Sequence, residues 1–132
     1  MFYREKQHAT TNAATAIDID LSLTWPGRVR RISHAVLANN SNETVTAQIG
    51  AWDGNDFFPF GSQATVQNGD AVALTNEVFI FEGQRLRAVV TGVAAKGDVV
   101  LYASGLEHDF EGDPPPVTEV VVAQAQQRQK AY

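Results

Sequence analysis

The sequence predicts an all-β protein: an antiparallel β-sandwich or jelly roll of about eight short strands, with extended N- and C-terminal arms. Three observations carry that prediction. Apolar residues alternate with polar ones at a period of two, the spacing of a sheet with one buried face. The breaks between these runs are β-type turns, among them Asn39-Asn40-Ser41-Asn42, Asp53-Gly54-Asn55-Asp56 and Asn68-Gly69. Before Pro114 no stretch keeps apolar residues at helical spacing for more than a turn or two.

In chain order, residues 1–16 are expected to form an arm, because residues 1–8 mix charge with polarity and residues 10–15 are small and polar. The clearest strand follows, where Ile17, Ile19, Leu21 and Leu23 alternate with Asp18, Asp20, Ser22 and Thr24. Trp25-Pro26-Gly27 stops it, and residues 29–37 make the next strand before the Asn-rich turn. Val45, Ala47, Ile49 and Ala51 give a third alternation; residues 57–60 are a short aromatic strand interrupted by Pro59. Asn68-Gly69 turns the chain into residues 71–74, and strands at 78–81, 86–91 and 99–102 complete the series, with Glu82-Gly83 and Lys96-Gly97-Asp98 at the bends. The sandwich domain is therefore placed at 17–110.

Residues 111–132 are expected to form a linker and second arm. Pro114-Pro115-Pro116 fixes φ and favours an extended polyproline II spacer. Val120-Val121-Val122 would show apolar side chains on both sides of a strand, while residues 124–130 permit helix, so this arm is strand then helix or simply extended.

Composition narrows the function. A chain of 132 residues favours one domain and can bury roughly two thirds of its unfolded surface. Its 10 Lys and Arg against 15 Asp and Glu leave a formal charge of −5, which argues against nucleic acid or an anionic lipid surface as partner. The absence of cysteine removes disulfides, thiolate metal sites and thiol nucleophiles together. With no apolar signal-like segment and no membrane-length apolar run, a soluble, unprocessed chain is expected.

The residues that could carry chemistry are sparse. The three histidines lie in separate segments, so a triad from Ser33 or Ser104 with His34 or His108 would have to assemble in space. Glu107-His108-Asp109 resembles a metal cluster, but neighbours in an extended chain point to opposite faces, and a solvated acidic strand end is the better reading. Asp53, Asn55 and Asp56 offer too few oxygens for calcium and suit an Asx turn. No enzyme activity, metal or cofactor is expected.

Binding residues are easier to nominate. Trp52, Phe57 and Phe58 surround Asp53 and Asn55, the ingredients of a sugar platform, although core or subunit interface accounts for the same aromatics. Partner contacts are expected from Phe2 and Tyr3 at one terminus and from Val117, Val120, Val121, Val122 and Tyr132 at the other. Arg28, Arg30 and Arg31 form a dense basic cluster, and Glu107, Asp109, Glu111 and Asp113 an acidic one; these are expected to meet between subunits.

Three segments carry a resemblance: Val36-Leu37-Ala38-Asn39-Asn40-Ser41-Asn42, then Phe81-Glu82-Gly83-Gln84-Arg85-Leu86-Arg87-Ala88-Val89-Val90-Thr91-Gly92, then Asp98-Val99-Val100-Leu101-Tyr102-Ala103-Ser104-Gly105. Over about residues 17–106 the strand and turn pattern resembles small β-sandwich structural proteins of tailed bacteriophage virions. That resemblance implies a capsid decoration or cement protein, commonly trimeric, which binds the major capsid protein or another virion protein. It further implies residence in the virion and a soluble phase in the host cytoplasm before assembly, without nucleic acid or membrane contact. A carbohydrate-binding or host-attachment module using Trp52 is the alternative.

Overall fold

The computed structural model describes residues 1–10, 15–93 and 97–109. Among these residues ten strands occur in chain order: β1 (Phe2–Thr10), β2 (Thr15–Asp20), β3 (Arg28–Asn40), β4 (Val45–Trp52), β5 (Phe57–Pro59), β6 (Ala64–Val66), β7 (Ala71–Ala73), β8 (Val78–Phe81), β9 (Arg85–Val93) and β10 (Asp98–Asp109). One sheet runs β1-β10-β3, with β7 and β8 sharing the far side of β3; the other runs β2-β9-β4, with β5 and β6 sharing the far side of β4. Every pairing is antiparallel.

This order is a jelly roll. Strand β1 pairs with β10, β2 with β9, and β3 with β8, as though one long hairpin had been rolled into two layers. Counting β5 with β6 and β7 with β8 as broken single strands gives the eight positions such a winding requires.

The predicted alternation fills the space between the layers. Val45, Ala47, Ile49 and Ala51 of β4 point inward, as do Leu86, Ala88 and Val90 of β9 and Val99, Leu101 and Ala103 of β10; all are buried. Asn39 is buried among them and is fully engaged. Its Nδ2 donates to the carbonyls of Glu43 (2.7 Å) and Val66 (2.9 Å), and its Oδ1 accepts from the Ser41 amide (3.0 Å) and hydroxyl (2.6 Å). It thereby ties the β3–β4 turn, where Asn42 takes a left-handed φ of 68°, to strand β6.

Two expectations need correction. Residues 2–10 are not a free arm: they form β1, whose nine residues pair in unbroken register with β10 from Phe2↔Leu106 to Thr10↔Asp98. The alternation of the first predicted strand also ends early, since Leu23 is exposed and Thr24 is buried in its place. The second arm, including Val117, Val120, Val121, Val122 and Tyr132, lies outside the described residues.

Candidate functional site

The outer face of the β1-β10-β3 sheet collects the residues best placed to meet a partner. Inward Tyr3 and Glu5 leave Phe2 and Arg4 facing out; inward Val78 and Ile80 do the same for Phe79. Register then aligns Phe2 with Leu106, Leu106 with Arg31 and Arg31 with Phe79 in one row across four strands. Phe2 is 91% exposed, and Leu106 and Phe79 are 39% exposed each. Arg31 stands between the apolar residues with its guanidinium 2.9 Å from Glu77.

A β-bulge shapes the same face. Ser104 pairs with His34 but Gly105 pairs with Ile32, so β3 carries Ser33 as an extra residue and both Ser33 and His34 are exposed. Gly105 is required there, because a Cβ on it would run into the Arg31 carbonyl. Ser33 Oγ donates to the Ser104 carbonyl (3.3 Å), and the His34 ring meets Tyr102 edge-on at 6.2 Å. Thus Ser33, Ser104 and His34 are brought together, but the hydroxyl bonds backbone and not imidazole. A shallow groove of about 780 Å³ runs over the bulge, lined by Phe2, Arg4, Ser33, Tyr102, Ser104 and Leu106 among others.

Beneath one end of this face lies a polar network that joins the two sheets. The Arg30 side chain points inward and is only 6% exposed. Its Nε donates to Glu107 (2.8 Å), its Nη2 to Ser22 Oγ (3.0 Å) and the Leu23 carbonyl (3.2 Å), and its Nη1 to the Ser22 carbonyl. The guanidinium carbon sits 4.4 Å from the centre of the Tyr3 ring. Tyr3 Oη donates to Glu5 Oε1 (2.7 Å), which also accepts from Ser22 Oγ (2.8 Å). Burial first, and then the bond to Glu5, push the Tyr3 phenol well above its ordinary range.

This geometry corrects the expected pairing of basic and acidic clusters between subunits. Arg30 meets Glu107 within the chain, and Arg28 reaches Asp109 (3.1 Å) and Glu107 (3.5 Å). Tyr3 is likewise an internal residue of the network, so of the N-terminal pair only Phe2 remains available outside. Among the described residues no group of three His, Cys, Asp or Glu could hold a metal ion.

The proposed sugar platform is largely occupied by its own neighbours. The Arg87 guanidinium stacks 3.9 Å above the Trp52 ring and is fixed there by Asp20, with Nε–Oδ1 at 2.6 Å and Nη2–Oδ2 at 2.9 Å. Asp53 Oδ1 accepts the amides of Asn55 (2.9 Å) and Asp56 (2.7 Å), the Asx turn read from the sequence. Phe57 and Phe58 lie half-buried on β5 beside Gly50, where any Cβ would strike the Phe57 ring and the Phe58 carbonyl. The tryptophan that does face outward is Trp25, 69% exposed beside Leu23 and Pro26; the sequence showed it only as a strand terminator.

No family model and no curated protein matches the chain. Several solved structures align with it, among them these two. One is the crystal structure of PirA, at 15% identity over 76% of this chain and 93% of that one, with a TM-score of 0.46. The other is the Drosophila NLP-core, described for its pentamer formation and histone binding, at 15% identity over 80% and 97% of the two chains, with a TM-score of 0.38. Likenesses at this level carry no argument about function.

Proposed function

We propose that this chain is a non-enzymatic structural protein of a tailed-phage virion, a decoration or cement protein that docks on an assembled shell as a homo-oligomer, with a trimer favoured. The observation that supports this reading is the row Phe2, Leu106, Arg31 and Phe79 on the outer face of a two-layer body. Three large apolar side chains exposed around one cation have the composition of an interface centre, where aromatic residues and arginine are enriched. A jelly roll is stiff enough to hold them in one plane, and repetition over a shell lattice multiplies a weak contact into firm attachment.

The test is cosedimentation of the purified protein with assembled shells of the phage that carries its gene, alongside light scattering of the free protein. The expected results are pelleting with the shell and a mass near three times 14.3 kDa. Phe2→Ser combined with Leu106→Ser is expected to abolish pelleting while leaving the fold intact. Wild-type protein that stays in the supernatant would overturn the reading. The carbohydrate-binding alternative has less support, since a sugar approaching Trp52 would have to displace Arg87 or use the opposite ring face.

A further inference from the structure

Strand β1 ends its sheet: it pairs with β10 on one side and, among the described residues, with no strand on the other. At nine residues it is the longest such edge; β2 has six and β5 to β8 three or four each. An open edge exposes a row of backbone N–H and C=O groups that can bond an incoming strand. No proline, glycine or bulge interrupts the backbone of that row.

The side chains on this edge are selective. Arg4, Lys6 and His8 occupy alternate positions on one exposed face, about 7 Å apart from one to the next. Elsewhere the described cations are mostly committed to carboxylates: Arg28 and Arg30 to Glu107, Arg31 to Glu77, and Arg87 to Asp20, while the His8 ring on β1 already meets Asp98 at 3.2 Å. Arg4 and Lys6 have no such partner among the described residues, a condition shared with Arg85. Two uncompensated, adjacent cations on a protein of net charge −5 mark this edge as the place where negative charge is wanted.

The same pattern discriminates between partners. Edge-to-edge pairing of β1 with β1 of a second copy, in antiparallel registers centred on Glu5 or Lys6, sets Arg4 against Lys6 or Lys6 against itself, and like charges directly opposite destabilise a strand pair. A strand with carboxylates at two alternate positions meets Arg4 with one and Lys6 with the other.

We propose that the free edge of β1 is a strand-docking site for an extended acidic segment of a partner protein, which adds to the sheet and sets its carboxylates against Arg4 and Lys6. This inference does not depend on the virion reading: it concerns the open backbone edge of β1, which borders the outer face that carries the Phe2–Phe79 row.

The experiment is an amide-shift titration of the full, isotope-labelled chain with two blocked hexapeptides, Glu-Val-Glu-Thr-Glu-Val and its counterpart with lysine for glutamate. The acidic peptide is expected to shift amides of residues 2–10, slow their hydrogen exchange, and bind roughly tenfold or more tighter than the basic one, with the preference shrinking at high salt. Arg4→Glu with Lys6→Glu, both exposed and without carboxylate partners among the described residues, is expected to invert the preference. Equal binding of both peptides, no binding of either at millimolar concentration, or shifts confined to residues outside β1 would each overturn the proposal. So would equal displacement of the acidic peptide by a non-peptide polyanion such as heparin, which would show charge attraction without strand geometry.

Discussion

Replacing Arg30 by methionine tests the central claim that a buried ion network joins the two sheets. The substitution keeps the apolar stem but removes the donors to Glu107, Ser22 and Leu23. Glu107, whose side chain is 14% exposed, then keeps only the longer contact with Arg28 at 3.5 Å. Removing one partner of a buried pair costs about 3–5 kcal/mol, because the remaining charge stays desolvated. In a domain of this size that lowers the melting temperature by roughly 10–20 °C. Urea and thermal unfolding followed by circular dichroism would measure it. Adding Glu107→Leu is expected to restore at least half of the loss, since an apolar pair leaves no orphaned charge. An Arg30→Met protein within about 1 kcal/mol of the parent, or a double variant no better than the single, would refute the reasoning.

Two further outcomes are expected. Asn39→Ala strips partners from two carbonyls and from the Ser41 amide at once, so a loss of about 2–4 kcal/mol is expected in urea unfolding, with hydrogen exchange rising first around β6. Tyr3 has its phenol pKa raised by burial and by Glu5, so the folded state holds that proton more tightly than the unfolded chain does. The corresponding stability is complete below the ordinary tyrosine pKa of about 10 and is lost as pH rises above it; Tyr3→Phe is expected to flatten stability measured between pH 9 and 11.

The parts of the fold that could be read in advance are those where one physical signal dominates. Val45, Ala47, Ile49 and Ala51 line one face because nothing but burial acts on them, and Asn42 and Gly69 adopt positive φ because turn chemistry demands it. Strand β1 was illegible for the opposite reason. Its inward positions include Glu5, which is satisfied by Tyr3 of the same strand and by Ser22 from the other layer, so no apolar alternation marks it. The bulge left a trace that could have been used: inward residues step from Ile32 to Ala35, three apart, and a period of two cannot do that without an extra residue. Arg28 and Arg30 meet Glu107 and Asp109, but a sequence does not say whether complementary patches lie on one chain or two. Register alone decided it, by setting Arg30 opposite Glu107.

The pairing of β1 with β10 has a consequence for biosynthesis. β1 leaves the ribosome long before its register partner, which runs from Asp98 to Leu106, so the sheet cannot close until nearly all of the described chain has emerged. Contacts so distant along the sequence also make folding slow, because the closure entropy comes due before the contacts form. For that whole interval β1 is an unprotected strand in a crowded compartment. Arg4, Glu5, Lys6 and His8 keep it soluble while it waits, and the polar character that hides this strand from a sequence reader also keeps the nascent chain out of aggregates.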